Sequence, residues 1–547
     1  MCAVCLLGTF RNKVKLLFYT RQAQLRVVIN KWRLLFLGFA LVYTFILLFN
    51  LTKAPILWDE ISHLNSSMLL YLGKYNTFII NAFYPPLFDV FAFIFYKVIG
   101  ISLFAARLPV VCFSVLALWA VFELTHYLYG GKAALLSAVI LGIMPGFFWL
   151  SGYAMLETAL MFFVPVSLLC FYRWVSTRRD WMLLGVGLAL GVGFLAKHQM
   201  LVVGIVMLLG IVLFARKPLS AAFKRFSLAI VTAVLVVFPW FLFAYEFYRY
   251  QLFDRYFYAM SMGNPDRAVY STRFPIPIFY FIEVVWPYSH FHPISVFLYV
   301  LCLAGLGFMV WRRRREDKFV LLWFAVIFCF FTIVSNREWR YVTALFPALA
   351  ISASVAILSL GGVLCKAWRS LGSVRRKCFV RTVSIVMMFL VAGAMCYSVY
   401  ESYRFVSDQQ VAIDIDGAAN YVAVNIEPGR SVIVLCPVNY FNYDMVQFYL
   451  WAHGDRSTEV FQYPFLAVDA YVPDFNIVEL VGLCVENNVQ YVMFFENGDM
   501  SRAYFGTELN GQMVYDQLCS SASFLQVTEE QVFGISPRQI FVISFVE

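Results

Sequence analysis

The chain reads as a mainly α-helical, polytopic membrane protein. It has about eleven spanning helices, further helices lying along the membrane surface, and a soluble C-terminal α/β domain. Three observations predict this. First, 62% of the 547 residues are hydrophobic and only 14% are charged, whereas a soluble domain carries about 25% charged residues. Second, apolar runs close to the ~20 residues that cross a bilayer recur between residues 34 and 400. Third, charge is divided: residues 1–400 hold 37 basic and 13 acidic side chains, and residues 401–547 hold 5 and 19. Positively charged cytoplasmic loops account for the basic body, so nucleic acid is not expected as a partner.

Residues 1–33 carry Arg11, Lys13, Lys15, Arg21, Arg26, Lys31 and Arg33 and no acid. They lead into an apolar run without a small-residue cleavage site, which predicts a cytoplasmic N-terminus before a retained first helix. Spanning helices are expected near 34–52, 108–128, 132–150, 155–173, 181–196, 199–215, 227–247, 293–311, 319–335, 340–361 and 382–400. With that start, the inner loops and the N-terminus hold 26 of the 42 Lys and Arg, including "RRRRED" at 312–317 and "KAWRSLGSVRRK" at 366–377. The acidic tail falls outside.

The stretch "PPLFDVFAFIFYKVIGI" at 85–101 would invert every later loop if it crossed, and it carries Asp89 and Lys97. It is therefore expected to lie in or re-enter the outer interface. In 61–72, Ile61, Leu64, Met68 and Tyr71/Leu72 recur at helical spacing, with Ser62, His63, Asn65 and Ser66 on the other side. That pattern predicts a surface-lying helix within a large outer loop, 53–107.

The tail alternates strand-like and helix-like segments: 431–438, 442–453, 476–488, 489–495 and 540–546. This rhythm predicts a small α/β domain over 401–547. It shows no glycine-rich phosphate loop and no catalytic triad. Cys2 and Cys5 form a C-x-x-C without a second pair, so no zinc site is expected there. The tail's Cys436, Cys484 and Cys519 are odd in number, which leaves the redox compartment open.

Charged residues converge on the predicted outer face. Asp59 and Glu60 follow the first helix, Glu157 begins the fourth, and Lys197 and His198 form a tight turn. Arg337, Glu338 and Arg340 begin the tenth, and Arg249, Arg255, Arg267 and Arg273 lie in the loop 248–292. Such groups at a membrane surface are costly unless solvated or paired, and anchoring salt bridges are the simplest use for any one of them. As a set they suit chemistry. An acid can take a proton from a hydroxyl, Arg and Lys can hold a phosphate, and apolar surroundings suit a lipid substrate. His290 and His292 are an interfacial pair or, with an acid, metal ligands. Glu123 and His126 fit a helix-end pair, and Pro145, Pro165 and Pro239 mark kinks.

Six segments, taken in order and spacing, resemble the GT-C polytopic glycosyltransferases. They are "WDE" (58–60), "YPPL" (84–87), "FAARLP" (104–109), "YAMLETAL" (153–160), "FLAKHQ" (194–199) and "WRYVTALFPALA" (339–350). The resemblance covers roughly 34–361. It points to the branch of dolichyl-phosphate-mannose protein mannosyltransferases and bacterial aminoarabinose transferases. It implies an inverting sugar transfer from a polyprenyl-phosphate-linked donor to a hydroxyl of a glycan, lipid or protein acceptor, on the extracytoplasmic face of the cell membrane. It also implies Asp59 as general base, Glu157 as second active-site acid, and Lys197 and Arg340 at the donor phosphate. Glu60, Tyr84, His198, Arg337 and Tyr341 join them as substrate-binding residues.

The chain departs from the pattern where Glu157 stands for an Asp, Tyr84 for a Lys and His198 for a Gly. No cofactor is required by this reading, and a divalent cation is left open. The competing class is a transporter or flippase for a lipid-linked or anionic solute. That class predicts internal repeats and charges near the midplane, whereas these charges cluster at one face. A non-catalytic partner that presents the tail is a third class, and it would not need acids in both outer loops.

Overall fold

In the computed structural model, the described residues are 31–75, 85–215, 218–249, 274–287, 292–335, 337–370, 374–409, 413–435, 441–463, 476–496, 511–524, 531–534 and 539–546. In chain order the first helices are α1 (Lys31–Asn50), α2 (Trp58–Tyr71), α3 (Leu87–Ile99), α4 (Leu103–Tyr129), α5 (Gly131–Gly142), α6 (Pro145–Leu150), α7 (Glu157–Thr177) and α8 (Trp181–Ala196). They continue with α9 (Leu201–Phe214), α10 (Leu219–Tyr248), α11 (Phe279–Glu283), α12 (Val296–Arg312), α13 (Arg315–Ile333), α14 (Phe346–Ser370) and α15 (Val374–Gln409). A helix overlaps each of the apolar runs read from the sequence. Six helices among the described residues are long and apolar enough to cross a membrane.

The stretch 85–101 forms α3, which at 13 residues extends only ~20 Å, short of a ~30 Å hydrocarbon core. The run 132–150 is not one helix but two. Pro145 cannot continue the first, so the chain breaks at Ile143–Met144. The freed Ile143 carbonyl accepts from the Ser398 and Ser402 hydroxyls of α15 at 2.7 and 3.2 Å. Close helix crossings rest on small residues. A Cβ on Gly191 would stand 3.0 Å from the Ala233 carbonyl oxygen of α10, so α8 can approach α10 only because that position is bare.

Polar side chains gather at the two ends of this bundle. At one end, Arg33 pairs with Glu123 at 3.0 Å, and the Tyr129 hydroxyl donates to Asp317 at 3.0 Å. Arg312 Nε donates to Asp317 at 2.7 Å, and Arg315 donates to the Phe214 carbonyl at 3.0 Å. These are the ends that the charge pattern assigns to the inner side. The candidate site lies at the other end of the same helices.

After α15 come α16 (Ile415–Asn425), β1 (Ser431–Leu435), α17 (Tyr443–Ala452), β2 (Val460–Tyr463), α18 (Ile477–Glu486), β3 (Val489–Phe495), α19 (Gly511–Ser520), β4 (Gln531–Phe533) and β5 (Ile540–Ser544). The sheet order is β2-β1-β3-β5-β4, with β2, β1 and β3 parallel and β5 antiparallel to both β3 and β4. Strand β1, "SVIVL", is buried at every position, as a central parallel strand covered on both faces requires. The sequence segments anticipated β1, α17, α18, β3 and β5. They omitted α16, α19, β2 and β4, the two strands being only four and three residues long.

This α/β unit sits on the helices of the outer loop. Ile61, Leu64 and Met68 of α2 and Phe88 and Ala92 of α3 share one apolar cluster with Met445 and Phe448 of α17. Asn65 of α2 donates to the Asp444 carboxylate at 2.9 Å. The helical face of α2 expected to be solvated is therefore mostly covered. His63 and Ser66 are buried, and only Ser62 of the four polar residues is exposed. The reason is that α3 and the α/β unit pack against this face: Ser66 meets Asp89, His63 lies against the Phe88 ring, and Asn65 meets Asp444.

Candidate active site at one end of the helical bundle

Helix α2 opens with two acids, as suits the positive end of a helix dipole. Successive residues point about 100° apart, so Asp59 and Glu60 meet different surroundings. Glu60 turns inward. Its carboxylate caps the helix by accepting from Leu57 N at 3.2 Å and also accepts from Ala154 N at 2.8 Å. Both its oxygens are held by Arg107 of α4, through Nε and Nη2 at 2.7 Å each. Arg107 also donates to the carbonyls of Leu51, Ala54 and Pro55 at 2.8–3.0 Å and faces the Tyr153 ring at 4.9 Å. Both side chains are 0% exposed. The expected substrate contact of Glu60 is thus corrected: it has neither a free oxygen nor access to solvent. Its pair with Arg107 ties the start of α2 to the start of α4 and to the turn between α1 and α2.

Asp59 turns outward, and its side chain is 43% exposed. Its Oδ2 accepts from Arg340 Nη2 at 2.6 Å. Arg340 lies on the 3-10 turn Trp339–Leu345 that leads into α14. It is gripped a second time by Glu338, with Nη2 to Oε2 at 3.1 Å and a shorter bond from Nε. Its Nη1 rests on Met155 Sδ at 3.9 Å.

Two residues beyond Met155, Glu157 opens α7. Its Oε1 accepts from Lys197 Nζ at 2.7 Å. Lys197 takes an extended backbone where α8 stops, and the 3-10 turn His198–Met200 follows. That break aims the ammonium at Glu157 instead of continuing the helix. Four segments far apart in sequence thus meet as two neighbouring carboxylate–cation pairs. His63, one turn after Asp59, feels the charges of Glu157, Asp59, Lys197 and Arg340, and burial holds its imidazole down at about 4.

The other expected residues divide. Arg337 is buried and donates to the Thr332 carbonyl at 3.1 Å. Tyr341 is half-buried, its backbone N–H donating to the Glu338 carbonyl at 3.0 Å. His198 packs against Phe194, the rings tilted by 56° with centres 4.9 Å apart. Tyr84, His290, Arg255, Arg267 and Arg273 lie outside the described residues. His292 approaches Glu401 at 3.8 Å. Among the described residues, no group of three His, Cys, Asp or Glu is placed to hold a metal ion.

Two polar residues around the site were present in the sequence reading without a role. Arg107 stood inside "FAARLP". Asp89 of α3 is buried and accepts from the Ser66 and Ser67 hydroxyls of α2 at 3.2 Å each, and burial pushes its carboxyl up to about 7. The signal for both was a lone charge at the start of an apolar helix, which needs a partner.

The family model described as dolichyl-phosphate-mannose-protein mannosyltransferase matches residues 84–243, a stretch that includes Glu157 and Lys197. Among curated proteins, the undecaprenyl phosphate-α-4-amino-4-deoxy-L-arabinose arabinosyl transferase 2 of Proteus mirabilis is 23% identical over 329 residues, 56% of each chain. The corresponding transferase of Pectobacterium carotovorum is 23% identical over 353 residues, 62% of this chain and 61% of that one. The chain spans about half the length of the curated relatives it matches, 51% and 56% for the first two.

Among solved structures, ArnT from Cupriavidus metallidurans in the apo state matches with a TM-score of 0.61 at 16% identity, covering 94% of this chain and 98% of that one. The same protein bound to undecaprenyl phosphate matches at 0.59. The Archaeoglobus fulgidus oligosaccharyltransferase in the apo form matches at 0.51 with 14% identity, covering 85% and 70%. The architecture is the GT-C fold seen in the ArnT structures.

Proposed function

We propose that this GT-C-fold chain is an inverting glycosyltransferase that moves a sugar from a polyprenyl-phosphate carrier to an acceptor hydroxyl on the extracytoplasmic side of the membrane. The observation that carries the reading is the pairing itself. Asp59, the one exposed acid of "WDE", faces Arg340 at 2.6 Å, beside a second pair of Glu157 and Lys197 at 2.7 Å. A lipid phosphate arriving at this end of the bundle competes with the two carboxylates for the same cations. Arg presents a bidentate fork to phosphate and Lys a point charge.

The chemistry follows from that exchange. The donor phosphate takes up Arg340 and Lys197, which loosens Asp59 from its partner. Asp59 then accepts the proton of the acceptor hydroxyl. The oxygen bonds to the anomeric carbon from the face opposite the phosphate, and the bond from that carbon to the phosphate oxygen breaks. The electron pair leaves on the carrier phosphate, whose developing charge Lys197 and Arg340 stabilise. Glu60 and Arg107 hold the backbone from which Asp59 projects.

The similar proteins are named for transfer of 4-amino-4-deoxy-L-arabinose and of mannose, which makes these two the first donors to try. Purified protein incubated with a panel of polyprenyl-phosphate sugars should release free polyprenyl phosphate in the presence of an acceptor. Failure to release it from every donor, by protein that still binds polyprenyl phosphate, would sink the reading.

A further inference from the structure

In its C-terminal half, helix α15 is fastened to the bundle where Ser398 and Ser402 donate to the Ile143 carbonyl. Over its N-terminal half it stands away from α12 and α14 and leaves a cleft of about 1170 Å³. This exceeds the ~300–1,000 Å³ typical of small-molecule pockets. The cleft runs along α15 from Lys377 to Met395, a helical distance of ~27 Å, longer than one leaflet's share of a ~30 Å hydrocarbon core. Its walls are apolar, with Phe308, Leu360 and Met388 among them.

One end of the cleft is different. Lys377 and Arg381 line it together, four residues apart and so on one face of α15. Lys377 sits 6.0 Å from the centre of the Trp368 ring. Arg312 reaches the rim from α12, its Nη1 3.5 Å from the hydroxyl of Ser359, another lining residue. Among the described residues, no Asp or Glu lines the cleft. By the charge pattern this end faces the cytoplasm, where anionic lipid headgroups attract basic side chains at helix ends.

A ligand matching an apolar trough with cations at one end is an amphiphile with an anionic head, whose chains would fill the part of the trough nearest those cations. We propose that this cleft is a binding site for an anionic phospholipid of the inner leaflet. Its chains would lie along α15, and its phosphate would sit between Lys377 and Arg381. The site is at the opposite end of the bundle from Asp59 and Arg340, so it stands independently of the proposed transfer.

The test uses the full-length protein in mild detergent, equilibrated with equal amounts of phosphatidylglycerol and phosphatidylcholine and read by native mass spectrometry. The wild type should retain phosphatidylglycerol over phosphatidylcholine by about 25-fold, given a preference of about fivefold for each of two cations. Lys377→Ala with Arg381→Ala should bring the ratio close to one, and Lys377→Arg with Arg381→Lys should keep it. Equal retention of the two lipids by the wild type would overturn the proposal. So would an unchanged ratio in the double Ala protein, or polyprenyl phosphate displacing phosphatidylglycerol from the cleft. Should the double Ala protein fail to fold, Ala392→Trp fills the trough without touching the charges and should lower phosphatidylglycerol retention. Full retention in that variant would count against the site.

Discussion

Asp59 and Glu60 are neighbours on one helical turn, yet they end in opposite surroundings. Each has an arginine. Glu60 and Arg107 meet with both side chains at 0% exposure, and every oxygen of Glu60 is occupied. Asp59 meets Arg340 at 2.6 Å, with 43% of its own side chain exposed. The same chemistry is a fixed joint in one case and an exchangeable contact in the other. What separates them is access. A buried pair that loses one partner leaves an uncompensated charge, costing ~3–5 kcal/mol. A pair with one partner open to solvent, as Asp59 is while Arg340 is 14% exposed, can trade that contact for a ligand phosphate at a smaller cost.

The largest expected effect comes from cutting the exchangeable pair on its acidic side. Asp59→Asn keeps the shape and hydrogen-bonding capacity of the side chain but removes the base. Transfer should fall by ~10²–10⁴-fold, the usual contribution of a general base, while the thermal unfolding midpoint in detergent stays close to that of the wild type. A variant that retains full transfer would remove Asp59 from the mechanism.

Arg107→Met should invert that pattern. It strands Glu60 inside the protein, so unfolding should become easier by ~3–5 kcal/mol. Any lost activity should follow the lost folded fraction. Replacing both, Glu60→Leu with Arg107→Met, should recover much of that stability, because paired removal leaves no orphan charge. If Arg107→Met melts like the wild type, the fixed joint described here is not one.

A smaller effect is expected from Lys197→Ala. The donor phosphate loses one charge-assisted contact, ~1.5–3 kcal/mol, so donor affinity should fall by about 10–100-fold with a lesser change in the rate at saturating donor. Glu157→Gln should shift donor affinity the other way, since Lys197 no longer has a carboxylate to leave. Parallel losses in both variants would mean that the Glu157–Lys197 pair is structural, like Glu60–Arg107.

Much of this arrangement was legible in the sequence because membrane proteins carry two redundant signals. Apolar runs of about bilayer length marked the helices, and the basic loops fixed which ends belong together. That count alone put Asp59, Glu157, Lys197 and Arg340 at one end, and it identified 85–101 as too short to cross. The finer division of roles was not legible. Periodicity says that Asp59 and Glu60 point apart, but not which one finds a buried partner, since the partner is 47 residues away. Likewise, the polar face of α2 looks like a solvated one until an α/β unit more than 370 residues later is seen to cover it through Asn65 and Asp444. Short edge strands such as β4, three residues long, offer too few positions for alternation to show.

That covering of α2 gives the last prediction, a pH dependence set by two buried groups, His63 of α2 and Asp89 of α3 packed against it. Burial raises the Asp89 carboxyl from 3.8 to about 7 and lowers the His63 imidazole from 6.5 to about 4. Between about pH 4 and 7 the folded protein holds a proton on Asp89 that the unfolded chain has released, so this group's contribution to stability falls as pH rises. Between about pH 4 and 6.5 the unfolded chain binds a proton on His63 that the folded protein does not, so this contribution rises with pH. Each slope approaches about 1.4 kcal/mol per pH unit at most, and in the wild type they oppose one another. Asp89→Asn should remove the falling term, so its stability relative to the wild type should grow from about pH 4 to 7. His63→Gln should remove the rising term, so its stability relative to the wild type should grow as pH falls from about 6.5 to 4. Thermal melts of the three proteins across that range read both signs directly. Two variants drifting in the same direction would show that α2 is not held between two groups of opposite titration, and that Asp59 is positioned by Glu60 and Arg107 alone.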